Sequence, residues 1–169
     1  MSDKSDHVDG VIRQWNQERP DLDASPMAIF GRMSRVNAIV MKKLRDNFKN
    51  FGLDPGDFDV LATLLRAGPP YALKPTQLYH ATMLSSGTMT SRVDKLEKMG
   101  FVKRTPDDED RRAVHVQLTS NGKNKISEAV TSHVNIQQSL LQSFDPAERE
   151  IFAKLLKQWL LDYENPSPL

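Results

Sequence analysis

Cysteine is absent from this chain of 169 residues. That absence excludes disulfides, thiolate catalysis, cysteine-based zinc sites and a cysteine peroxide switch. It also suits a reducing compartment. Long apolar runs are missing, and residues 1–10 are polar and acidic with no apolar signal region. Secretion and membrane insertion are therefore not expected, and a cytoplasmic location is. A dominant charge is missing too: 23 lysines and arginines face 22 acids, for a net charge of +1. Total charge thus carries no argument for a nucleic-acid partner, and any such argument rests on where the charges sit. The four histidines, His7, His80, His115 and His133, lack metal-ligand spacing. A lone histidine is more often structural than a ligand. No Ser-His-Asp order, phosphate loop or paired-carboxylate motif stands out. Neither a metal nor a cofactor is expected.

What is present is an ordinary soluble composition, 38% hydrophobic and 27% charged, in a chain long enough to bury a core. Helical periodicity dominates. Residues 8–18 carry Val8, Val11, Ile12 and Trp15 at helical spacing, and Pro20 stops them. Residues 25–51 follow, with Ile29, Met33, Val36, Ile39, Val40 and Leu44 as the apolar stripe and Gly52 at the end. Residues 31–49 set six basic side chains against the single acid Asp46, which reads as a solvated helix face. Asp54-Pro55 opens a helix to residue 66. Pro75 opens a short helix to about residue 81 behind a poor cap, Lys74. Ser85 or Ser86 caps a helix to residue 99, and Gly100 ends it.

The period then changes to two. Residues 101–104 and 113–118 read as two strands, joined by a polar turn that holds Pro106 and the acids Asp107 to Asp110. Thr119 caps a long helix to about residue 144. Asp145-Pro146 starts a last helix to about residue 163, with Ile151, Leu155, Leu156, Trp159 and Leu160. Leu155, Trp159 and Tyr163 form a packing stripe rather than a cofactor box. The fold class is mainly α with a small β-hairpin wing. Three regions are expected: N-terminal helices over 1–52, a winged helix-turn-helix over 53–118, and C-terminal helices over 119–169.

Two short helices followed by a hairpin place the second helix where it can enter a DNA major groove. DNA binding is expected within residues 75–112. With Met89, Val93 and Leu96 turned inward, the helix over 86–99 presents Gly87, Ser91, Lys95 and Lys98 outward, flanked by Thr88, Thr90 and Arg92. Small hydroxyls near its N-terminus allow close approach and bond phosphates. Arg92 suits either guanine or a phosphate. Asp94 and Glu97 repel phosphate, so the C-terminal half is expected to leave the groove. At the wing tip, Arg111 and Arg112 suit a narrow minor groove, with Asp110 as a brace.

The run Ser86-Gly87-Thr88-Met89-Thr90-Ser91-Arg92-Val93-Asp94-Lys95-Leu96-Glu97 resembles the recognition helix of the multiple-antibiotic-resistance regulator (MarR) family. Lys98 to Arg104, Asp107 to Arg112 and Leu118-Thr119-Ser120-Asn121-Gly122 resemble the family's wing and the start of its next helix, and the likeness spans about residues 30–163. It implies a homodimer with interlocked terminal helices, binding a pseudo-palindromic operator and most often repressing. A small molecule bound between the dimerisation and DNA-binding regions releases the DNA. It implies Arg112 as the minor-groove arginine, Asp110 as its support, and Ser86, Thr88, Thr90, Ser91 and Arg92 at the major groove.

Trp15, Asp59 in Phe58-Asp59-Val60-Leu61, and Arg104 also resemble the urate-responsive branch of that family. There, matching residues are linked to a planar anionic ligand. The chemistry is coherent: indole stacks on the ring, guanidinium meets the charge, and carboxylate accepts a ring N–H. Packing for Trp15, and a surface acid or a partner of Arg104 for Asp59, are equally open. So is a different phenolic or other effector. A winged-helix module for protein contacts is disfavoured by the clustered Arg92, Lys95, Arg111 and Arg112. A small enzyme built on Trp15, Asp59 and Arg104 is disfavoured by the lack of a nucleophile beside them.

Overall fold

The computed structural model describes residues 4–82, 86–106 and 114–164, with the backbone alone at 86–88. The element order is α1 (His7–Glu18), α2 (Met27–Asn50), α3 (Pro55–Arg66), β1 (Ala72–Leu73), α4 (Pro75–Ala81), α5 (Ser86–Lys98), β2 (Val102–Pro106), β3 (Val114–Leu118), α6 (Ser120–Leu140) and α7 (Pro146–Glu164). The expected helices form, and their starts follow the local chemistry. Asp54 Oδ1 accepts from the amides of Gly56 at 2.9 Å and Asp57 at 3.0 Å, while Asp57 returns a carboxylate oxygen to the Asp54 amide. Asp145 and Glu148 close the same reciprocal cap on α7. Thr119 Oγ1 accepts from the Gly122 amide at 3.0 Å and so starts α6. Lys74 offers no side-chain cap, but its amide donates to Gln77 Oε1 at 3.0 Å, which satisfies one donor at the start of α4.

Gly100 stops α5 in the left-handed region, at φ 72°. The Phe101 amide reaches back to the Leu96 carbonyl and the Gly100 amide to that of Glu97, so the chain turns directly from helix into wing. The wing differs from the expected two-stranded hairpin. β3 pairs antiparallel with β2 on one side and with β1 on the other, giving the order β1-β3-β2. β1 has only two residues, too few to show a period of two. α6 also stops earlier than expected, at Leu140, because the chain turns through residues 141–144 before the Asp145 cap.

The core lies where α3, α5, α6 and the sheet meet. Val60, Leu61, Leu64, Leu78, Leu96 and Ile126 are fully buried there. His133 of α6 stacks on Phe48 and lies tilted against Phe58, with its Nδ1 buried and unpartnered among the described residues. Burial alone holds its imidazole below the usual range. α2 and α7 behave differently. The upper stripe of α2 (Ile29, Phe30, Met33, Val36 and Ile39) is exposed, whereas Leu44 and Phe48 lower down are buried. α7 buries no residue and exposes Ile151, Leu155, Leu160 and Tyr163.

Candidate nucleic-acid interface

α5 is held by its apolar face. Met89, Val93 and Leu96 are buried, as their spacing predicts. They pack α5 against α3, α4 and β2. Thr90 and Ser91 lie on the exposed side. The helix therefore presents small hydroxyl side chains outward from a frame fixed by apolar contacts. Ser86 and Thr88 share the N-terminal turns, and their side chains lie outside the described residues. So do Asp110, Arg111 and Arg112, together with the rest of the wing tip over 107–113.

Four charged residues of α5, Arg92, Asp94, Lys95 and Glu97, turn to the protein in two directions. Toward α3, Arg92 Nη1 pairs with Asp54 Oδ1 and, at 3.1 Å, with Asp57 Oδ1. Lys95 Nζ reaches Asp54 Oδ2 at 3.0 Å and Asp57 Oδ2 at 2.5 Å. Partial burial pushes the Asp54 carboxyl up. The Asp57 amide, the Lys95 ammonium and the Arg92 charge outweigh it and hold that carboxyl at about 2. The Asp57 carboxylate in turn raises the Lys95 ammonium above its usual range. Asp57 has no exposed side chain. Leaving such a carboxylate unpaired costs about 3–5 kcal/mol, far more than a surface pair contributes.

Toward the wing, Asp94 and Glu97 both bind the Arg104 guanidinium, and Glu97 Oε1 accepts from the Arg104 amide at 3.0 Å. The hydrogen bond to Asp94, with both carboxylate charges, raises Arg104 above the ordinary guanidinium range. The two acids that would repel phosphate thus fasten β2 to α5.

Trp15, Asp59 and Arg104 sit on three elements, α1, α3 and β2. Trp15 is 39% exposed, Asp59 is half-buried, and Arg104 is exposed. α1 packs on α2, clamped by Arg32, which binds Asp6 at 2.8 Å and Asp9 at 2.6 Å. The groove between those helices is lined by Val8, Val11, Met27 and Phe30, with none of the three candidate ligand residues. Among the described residues no cluster of three histidines or acids could hold a metal ion, and no helix is long and apolar enough to cross a membrane.

Sequence reasoning missed Asp57 and Gly56 as site residues. The signal was two acids three apart at the start of α3, matched by two bases three apart on α5.

A family model described as the MarR family matches residues 53–114. The HTH-type transcriptional regulator PecS of Dickeya dadantii is 40% identical over 149 residues, covering 88% of this chain and 90% of that one. AbsC, a MarR family transcriptional regulator from Streptomyces coelicolor, has the same fold with a TM-score of 0.75 at 21% identity, covering 85% of this chain and 97% of that one. BpsR of Bordetella bronchiseptica, whose DNA binding is regulated by 6-hydroxynicotinic acid, gives a TM-score of 0.67 at 24% identity, covering 78% of this chain and 91% of that one.

Proposed function

The chain belongs to the MarR family of helix-turn-helix transcriptional regulators, and from that premise we propose a homodimeric repressor that a small anionic aromatic molecule such as urate releases from a pseudo-palindromic operator. The observation that carries the DNA reading is the exposed hydroxyl face of α5, Thr90 and Ser91, standing beside the wing on a fixed apolar frame. In this reading the N-terminal turns of α5 enter the major groove. Ser86 and Thr88 are proposed contacts from the same N-terminal turns. Arg112 enters the minor groove with Asp110 as its brace, and Arg111 lies along the phosphates. The regions 1–52 and 119–169 form the dimer, and 53–118 the DNA-binding part.

Dimerisation is supported by the exposed apolar faces of α2 and α7. A monomer seldom leaves so large an apolar area to water. One shared two-fold axis then sets the two α5 helices about one helical turn of DNA apart.

Effector release is supported by the Arg104 bridge. An anion that takes Arg104 replaces Asp94 or Glu97, and both of these stand on α5. Ligand binding therefore loosens wing from recognition helix. The ligand acts only through its preference for that loosened arrangement. BpsR, regulated by an aromatic carboxylic acid, supports this ligand class. Trp15 and Asp59 complete the proposed site. It is tested by titrating urate while following Trp15 fluorescence in a Trp159→Phe background. A saturable change that Arg104→Ala abolishes supports the site; no saturable change, or an unaltered one in Arg104→Ala, removes it. The DNA reading is tested by mobility shift on the protein's own promoter region at moderate salt. Specific binding weakened by Arg112→Ala is expected, and indifference of the complex to Arg112→Ala removes the wing contact.

A further inference from the structure

Arg92 has the residue type and position of a groove-reading arginine, yet its guanidinium is spent inside the protein. Its side chain is 24% exposed and crosses the first turn of α3. The passage is so close that a Cβ on Gly56 would stand 2.3 Å from Arg92 Cζ and 2.3 Å from Nε. Nη1 is shared by Asp54 and Asp57. Nε is buried with no hydrogen-bond partner among the described residues. Lys95, one turn further along α5, binds the same two carboxylates from the exposed side. Two cations on one helix thus meet two acids on another across a glycine that leaves room for the crossing.

We propose that Arg92 and Lys95 are positioning residues rather than DNA contacts: with Asp54, Asp57 and Gly56 they form a clamp that sets the angle of the recognition helix on α3. Three observations favour this over a phosphate or base contact. A guanidinium that already serves two carboxylates must give up its bond to Oδ1 of the fully buried Asp57 to reach DNA, leaving that charge to Lys95 and the Asp54 amide on Oδ2, and removing a partner from a buried carboxylate is costly. Asp54 and Asp57 are negative charges beside Arg92 and Lys95, which cancels the pull of those cations on phosphates. The glycine at position 56 leaves room for the crossing side chain, and its backbone is an ordinary helical turn that does not itself require glycine. The apolar contacts of Met89, Val93 and Leu96 fix α5 against sliding but are non-directional. Directional bonds at two points, 92 and 95, add a constraint on its rotation.

The clamp rests on the operator reading above, and its test separates the two. Operator affinity, random-duplex affinity and the salt dependence of each are measured for the full-length protein and for Gly56→Ala, Arg92→Gln, Asp57→Asn, Lys95→Gln and the double variant Arg92→Gln/Asp57→Asn. If the unsubstituted protein does not distinguish its promoter duplex from random DNA, the operator reading fails, and the clamp falls with it. If it does, the clamp predicts that each single change lowers operator affinity by about tenfold, with random-duplex affinity and salt slope unchanged. It also predicts that the double variant is little worse than either single, because both break one unit.

Gly56→Ala is the sharpest arm, because it evicts Arg92 without removing a charge. Lys95→Gln, at a 47% exposed side chain, keeps the test open if Asp57→Asn does not fold. Several results overturn the clamp. One is a fall in salt slope near 1 for Arg92→Gln, the mark of a lost phosphate contact. Another is unchanged or tighter operator binding in Asp57→Asn, which would mean a freed Arg92 reads DNA. A loss shared equally by operator and random duplex, or no loss at all, also overturns it.

Discussion

Asp54 shows how much one residue does at the junction of α3 and α5. It caps α3 and binds Arg92 and Lys95 at once. Its folded value of about 2 lies below that of a free aspartate, which is about 3.9. The folded form is thus the poorer proton binder. The stabilisation is complete above about pH 4 and is lost as pH falls toward about 2. Because the side chain is 43% exposed, solvent screening reduces the contribution to about 1 kcal/mol. Asp54→Asn keeps the capping acceptor but not the charge. In urea unfolding it is expected to be about 1 kcal/mol less stable than the unsubstituted protein at pH 7, with the gap closing near pH 2. A gap that stays constant across that range would show that the charge contributes nothing.

At the level of elements, the buried face of α5 and its proposed DNA-contacting face are different sides of one helix. Leu96 is fully buried, so Leu96→Ala should cost about 2–5 kcal/mol in unfolding experiments. Thr90 is exposed, so Thr90→Ala should change stability by less than about 0.5 kcal/mol while lowering operator affinity. Equal effects of Thr90→Ala on stability and affinity would contradict that division. The helices were legible in the sequence because each has a local start or stop: Asp54-Pro55, Gly100, Thr119 and Asp145-Pro146. β1 was not legible, because Ala72 and Leu73 become a strand only through Gln117 and Val116 on β3. The exposed side of α5 was legible from the inner stripe alone. The partners of its charges were not, since Arg92 meets an acid 38 residues away. Periodicity reports which side of a helix is apolar, not which neighbour its charges find.

At the scale of the whole molecule, apolar stripes were equally legible on α2 and α7, but sequence patterning does not distinguish a stripe covered by the same chain from one covered by a second copy. The structure shows which stripe the chain covers itself: Leu44 and Phe48 are buried within it, while Ile39, Leu155 and Leu160 are not. Leu155→Glu combined with Leu160→Glu should therefore leave a folded monomer in analytical ultracentrifugation. That monomer should lose most of its operator affinity, because one half-site keeps only half the contacts. A variant that stays dimeric would move the interface elsewhere.

In the proposed function this chain, as a dimer, reads a particular duplex through α5 and the wing. Fluorescence anisotropy on a labelled duplex from the protein's own promoter region, against a scrambled duplex of equal composition at physiological salt, decides whether it does. Binding to the promoter duplex at least about a thousandfold tighter than to the scrambled one is expected. Equal affinity for the two duplexes would contradict it.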